Sequence, residues 1–181
     1  MGNMNNIVTV SGGKDSTAIP FVLRKLGIPM TAMVTVVTPW EFEETIEALN
    51  QLEKAFPDVP LIRLHPLPFN HLMLERPVYQ RKTNKFQGFG CNWPSRENGR
   101  WCTREKIRVL HKFIQNKFGL NDTYQMIGFA ADEVNRTKTK GLEEKRKKGF
   151  KFRFPLIEQG ITEEDALSIC YENGFDWGGA V

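Results

Sequence analysis

The chain has 181 residues, 40% hydrophobic and 25% charged, an ordinary globular balance with enough length for one domain and its core. No apolar stretch approaches the roughly 20 residues of a membrane-spanning helix, and MGNMNN lacks the regions of a secretory leader. A cytoplasmic protein without a membrane partner is expected. Three cysteines, Cys91, Cys102 and Cys170, are an odd number at wide spacings, so thiols are expected rather than a disulfide framework, an iron–sulfur cluster or a zinc site.

In chain order, the first predicted element is a short buried strand over residues 6–10, followed by SGGKDS at 11–16. A helix over about residues 15–26 ends at Gly27, and Pro20 inside it removes a backbone donor, which predicts a distorted first turn. The second strand, residues 31–37, is rich in valine and threonine. The helix after it sets Phe42, Ile46, Leu49, Leu52 and Phe56 at helical spacing. Residues 61–64 read as a third strand and 65–99 as an irregular, proline-rich region. A helix over 101–118 precedes a fourth strand over 123–128. The closing helix opens with Thr162-Glu163-Glu164-Asp165, whose carboxylates complement the helix dipole. Strands alternating with helices predict an α/β fold, a single doubly wound domain over residues 1–181 with a parallel sheet and helices on both faces.

In such a sheet ligands sit outside the carboxyl ends of the strands, and SGGKDS is the loop from the first strand to the first helix. Gly12 and Gly13 let the backbone turn sharply with its N–H groups uncovered, and the helix N-terminus adds partial positive charge. Ser11 and Ser16 supply hydroxyl donors, and Lys14 supplies a full charge. A carboxylate beside phosphate is repulsive unless a divalent cation bridges the two, so Asp15 is expected to hold Mg²⁺. Walker A and the dinucleotide fingerprint are both excluded: Asp15 separates Lys14 from Ser16, and no G-x-G-x-x-G occurs here.

Asp132 and Glu133 follow Gly128 at the ligand edge of the sheet, with Arg136 one turn on, and are candidates for ribose, metal or phosphate contact. Cys102 near a helix start is either a reactive thiol or a small packed residue, and Cys170 falls on the apolar side of the last helix. Residues 136–153 hold nine basic residues against two acidic, a local field for polyanions in a chain of net charge +4. Gly141 and Gly149 bracket a segment that reads either as a lid or as a solvated loop. Phe150, Phe152 and Phe154 alternate with Lys151 and Arg153, which suits base stacking and a packed strand equally.

SGGKDS after the first strand resembles the pyrophosphate loop of the PP-loop ATP pyrophosphatases, also called adenine nucleotide alpha hydrolases. TPWEFEET (38–45), RWCTREKI (100–107), IGFAADEVNR (127–136) and FPLIEQGIT (154–162) resemble, in this order, the phosphoadenosine phosphosulfate (PAPS) reductase-like branch. The resemblance covers nearly the whole chain. It implies an adenine nucleotide, ATP or PAPS, across the strand ends, with adenine near Thr38 and phosphates on Ser11, Gly12, Gly13, Lys14 and Ser16. Lys106 and Glu133 join the binding residues on the same ground, and Lys14, Asp15 and Arg136 are the implied catalytic residues.

The implied reaction is Mg²⁺-dependent cleavage between the α and β phosphates of ATP, with pyrophosphate released and an unknown acceptor adenylated. Nucleic acid is a candidate acceptor through the basic segment 136–153. A PAPS-dependent sulfonucleotide reductase is one alternative, and a non-catalytic nucleotide- or nucleic-acid-binding module is another. The reductase is disfavoured because the chain ends GFDWGGAV without the Glu-Cys-Gly-Leu-His motif, and Ala130 stands where reductase-like sequences often have arginine.

Overall fold

Central strands of a parallel sheet are covered on both faces, so they read as unbroken apolar runs. Ile7-Val8 and Ala32-Met33-Val34 meet that requirement, and every one of these side chains is buried. The computed structural model describes residues 4–80, 82–91, 93 and 100–179. It places these runs in β1 (Asn5–Thr9) and β2 (Ala32–Val36). The later strands are β3 (Leu61–Leu64), β4 (Pro77–Tyr79), β5 (Phe86–Phe89), β6 (Thr123–Met126) and β7 (Lys151–Arg153). Five of them form one parallel sheet in the order β3-β2-β1-β6-β7, while β4 and β5 pair antiparallel on their own.

The helices are α1 (Lys14–Lys25), α2 (Glu43–Ala55), α3 (Trp101–Phe118), α4 (Lys140–Lys147), α5 (Pro155–Glu158) and α6 (Glu163–Glu172). Successive strand residues point to opposite faces, and this alternation sorts the helices. Val8, Met33 and Met126 pack against Ile19 and Leu23 of α1, Leu49 and Leu52 of α2, and Ala166 and Cys170 of α6. Ile7, Ala32 and Val34 meet Leu110 and Ile114 of α3 on the other face. The fold is therefore the expected doubly wound α/β arrangement. Because β1 lies between β2 and β6, the connections leaving β1 and β6 diverge, and the crevice at their carboxyl ends is the ligand position of such sheets.

Several local expectations change. α1 runs as one continuous helix through Pro20, since proline there forfeits only one backbone hydrogen bond within a helix otherwise buried along Thr17, Ala18, Ile19, Val22 and Leu23. Phe42 caps α2 and is 79% exposed, outside the packed face that Leu49 and Leu52 form. The region read as irregular holds a π-helical turn (His71–Glu75) and the β4–β5 hairpin. α6 opens at the expected Thr162-Glu163-Glu164-Asp165 turn, where Thr162 and Asp165 form a reciprocal capping box. Among the described residues no helix is long and apolar enough to cross a membrane.

His111 of α3 is buried, 4.5 Å from the Phe150 ring, and its Nδ1 has no hydrogen-bond partner among the described residues. Burial first, then the Lys145 ammonium, pushes its pKa from 6.5 down to about 4, against an opposing pull from the Gln125 side chain. The unfolded chain therefore holds this proton more tightly than the folded one. The associated stability is complete above pH 6.5 and is lost as pH falls towards about 4, on the order of 3 kcal/mol in all. Urea unfolding at pH 7.5 and pH 5 should show a drop in the wild type that His111→Leu removes; parallel pH profiles for the two would contradict it.

Candidate active site

The carboxyl end of β1 leads into SGGKDS, and its geometry follows from Gly12. This residue has φ +82°, a left-handed conformation. A Cβ there would lie 2.7 Å from Thr45 Cγ2 and 2.9 Å from the Thr45 carbonyl oxygen. The Gly12 carbonyl accepts a 2.7 Å hydrogen bond from the Trp177 indole, which pins the turn from the far end of the chain. Ser16 ties the loop internally: its hydroxyl donates to the Gly13 carbonyl at 3.0 Å and accepts from the Ser11 N–H at 3.0 Å. Ser11 Oγ lies 3.0 Å from Ser16 Oγ as well. Gly13 is the N-cap of α1, and no side chain caps that helix start.

Gly128, just beyond β6, closes the other wall. A Cβ on it would stand 2.8 Å from the Ser16 nitrogen and 2.9 Å from the Asp15 carbonyl carbon, so the two segments approach as closely as backbone allows. Lys14 reaches Glu163 Oε2 at 2.8 Å and Asp15 Oδ1 at 3.3 Å. Partial burial alone would lower the Lys14 pKa, but the Glu163 hydrogen bond and the Asp15 charge raise it, so the ammonium is firmly protonated. Burial raises the Asp15 pKa against the pull of Lys14, with Glu163 and Glu133 adding like charge. Asp15 Oδ1 is buried and makes no contact of hydrogen-bond geometry among the described residues.

Arg136 donates to Glu133 Oε1 at 2.5 Å and lies 4.3 Å from the Phe129 ring centroid. Its charge also acts on Glu163. Lys14, Asp15, Glu133 and Arg136 therefore belong to one electrostatic cluster at the strand ends, although 122 positions of sequence separate the first from the last. Thr38 and Lys106 form a second group. The buried Thr38 hydroxyl donates to Glu41 Oε1 at 2.6 Å, and the Lys106 ammonium pairs with the same oxygen.

Three residues the sequence reading passed over matter here. Glu41 lies inside the quoted TPWEFEET, where its acidity on a loop was the available signal. Glu163 was legible only as a helix-start carboxylate, and no sequence signal connects Trp177 to Gly12. Cys170 is fully buried, with its S–H directed at the Lys14 carbonyl 3.3 Å away. Burial and the nearby Asp15 push its thiol up to about 12, so it stays protonated and unreactive. Cys91 and Cys102 pack beside Phe69, Leu72 and Trp101.

A comparison with curated proteins returns no match. Among solved structures, the chain is similar to a U34-tRNA thiolase, NcsA, from Methanococcus maripaludis, solved with its 4Fe–4S cluster. The TM-score is 0.60 at 17% identity, over 97% of this chain and 59% of that one, so this chain spans about three-fifths of that protein and the likeness is one of fold. It corrects the cofactor expectation of ATP or PAPS with Mg²⁺ and with neither an iron–sulfur cluster nor zinc. A protein of this fold carries such a cluster, and cysteine spacing was no ground for setting one aside. Among the described residues no group of three or more His, Cys, Asp or Glu side chains is placed to hold a metal ion. Residues 5–165 match the phosphoadenosine phosphosulfate reductase domain, and a match over that much of the chain, with the glycine turn and Lys14 at the strand ends, shows that the protein belongs to the phosphoadenosine phosphosulfate reductase domain family.

Proposed function

We propose that the protein cleaves an adenine nucleotide between its α and β phosphates and transfers the adenylyl group to an acceptor. The observation that carries this reading is the uncapped start of α1 behind the Gly12 turn, with Lys14 at its first position. Backbone N–H groups and the helix dipole there suit the charge that collects on a departing pyrophosphate. An acceptor oxygen attacks the α phosphorus, the bond to the bridging oxygen breaks, and its electron pair leaves on pyrophosphate. Ser11, Gly12, Gly13 and Ser16 cradle that group, and Lys14 exchanges its exposed partner Glu163 for a phosphate oxygen. Asp15 orients the Lys14 ammonium. Arg136, held by Glu133, meets the α phosphate, while Thr38 and Lys106 face the nucleoside side.

Incubation with α-labelled ATP should therefore give AMP or an adenylated acceptor, together with pyrophosphate. ADP as the main product would overturn the reading. A second reading, sulfonucleotide reduction, is favoured by the family match over residues 5–165. Its test runs alongside: sulfite released from PAPS and a dithiol, dependent on Cys102, would replace nucleotide cleavage as the function.

A further inference from the structure

A cavity of about 1080 Å³ lies between α3, α4 and the sheet face formed by Thr9, Gln125 and Ile127. That is just above the roughly 300–1,000 Å³ of small-molecule sites. Of the residues proposed to act on the adenine nucleotide, Arg136 alone lines it; no residue of SGGKDS does, nor do Thr38, Lys106 and Glu133. In a doubly wound sheet this face is ordinarily filled with apolar side chains. Here its deep end carries two polar side chains, His111 at 6% and Gln125 at 3% exposure. Gln125 Nε2 donates to Thr9 Oγ1 at 3.0 Å, but Gln125 Oε1 and His111 Nδ1 are buried and have no partner of hydrogen-bond geometry among the described residues, although the Gln125 side chain is near enough to act on the imidazole. Unpaired buried polar atoms are costly and call for an explanation.

The rest of the lining gives the ligand's character. Phe129 and Phe150, with Ile107, Leu110 and Leu142, make apolar walls. Arg104, Arg108, Lys112, Arg136, Lys145 and Lys148 surround them against one carboxylate, Glu144. Arg108 and Arg136 are already paired with Glu105 and Glu133, whereas Lys145 sits 5.3 Å from the centre of the Phe150 ring and carries no ion pair among the described residues. Its pKa is lowered by burial and then by the Lys148 charge, the crowding of like charges that a bound anion relieves. An apolar slot with an amide oxygen and an imidazole nitrogen at its floor, and cations at its rim, matches a heterocyclic base attached to a phosphate.

We propose that this cavity is a second nucleotide site, taking a nucleoside monophosphate with its base against His111 and Gln125 and its phosphate between Lys145 and Lys148. The site is separate from the pyrophosphate loop, and the inference stands whether or not that loop cleaves ATP. Phe129, in the lining of the cavity, follows Gly128 in the chain, and Gly128 abuts the Ser16 backbone. A nucleotide there lies next to the loop, in position to act as acceptor.

The test is calorimetric titration with AMP, GMP, CMP and UMP, with ribose 5-phosphate and inorganic phosphate as controls and a single-stranded hexanucleotide as a further arm. At least one monophosphate is expected to bind tenfold or more tightly than ribose 5-phosphate. Lys145→Ala with Lys148→Ala, both on or just past α4 and away from the core, should weaken it at least tenfold. Gln125→Leu or His111→Leu should bring it within threefold of ribose 5-phosphate. Lys14→Ala should leave it unchanged while weakening binding of a non-hydrolysable ATP analogue. Monophosphate binding that survives in a protein unable to bind or cleave ATP would count against the proposed function alone. Binding lost with Lys14→Ala but kept in the double lysine variant overturns the inference, as does failure of all four monophosphates, binding no better than the two controls, or binding by the hexanucleotide alone.

Discussion

Lys14→Ala is expected to slow nucleotide cleavage by about 10²–10³-fold, the usual cost of removing one preorganised charge-stabilising group. Lys14 carries the single basic side chain of SGGKDS and is held in place by Asp15 and Glu163. Its ion pairs reach solvent, with the lysine side chain 22% and that of Glu163 45% exposed, so they contribute little to stability. The fold should persist while the chemistry is lost. The check is the rate of labelled AMP formation beside a urea unfolding curve. Cleavage within threefold of wild type would remove Lys14 from the mechanism, and a collapsed unfolding midpoint would show its role to be structural.

Gly128→Ala should be costly in a different way. Its new methyl group would press on the Ser16 nitrogen at 2.8 Å and on the Asp15 backbone at 2.9 Å, neither of which can rotate away. Overpacking against rigid neighbours costs about 1–3 kcal/mol, and the strain falls on the loop that would cradle phosphate. We expect a lower unfolding midpoint together with at least a tenfold loss of affinity for an ATP analogue. Gly141, inside α4, supplies the contrast: nothing lies within 4 Å of its Cβ position. Gly141→Ala should leave stability unchanged or raise it by up to about 1 kcal/mol through helix propensity. Equal behaviour of the two variants would mean that the close approach at Gly128 is not what shapes the loop.

The loop from β1 to α1 was legible in the sequence because its signal is local: a buried strand, two glycines and a helix start in consecutive positions. The same holds for β1, β2, β3, α3 and the Thr162 cap, where period, turn residues and capping chemistry lie within a few residues of one another. The β4–β5 hairpin was harder, since it lies in a proline-rich stretch without regular period, and the alternation around β7 suited base stacking as well as a strand. β7 exists through its pairing with β6, some 27 positions away in register.

The sequence by itself determined the alternation that makes a doubly wound sheet, the glycine loop SGGKDS between β1 and α1, and the family to which the chain belongs. Tertiary structure alone decided that Trp177 braces Gly12, that Glu163 holds Lys14, and that one carboxylate, Glu41, serves both Thr38 and Lys106. It also decided that His111 and Gln125, both buried, line one cavity. The physical reason is range. Backbone geometry and amphipathic period are set by near neighbours in the chain, whereas hydrogen bonds, ion pairs and desolvation depend on distance in space, which the packing of separate elements creates.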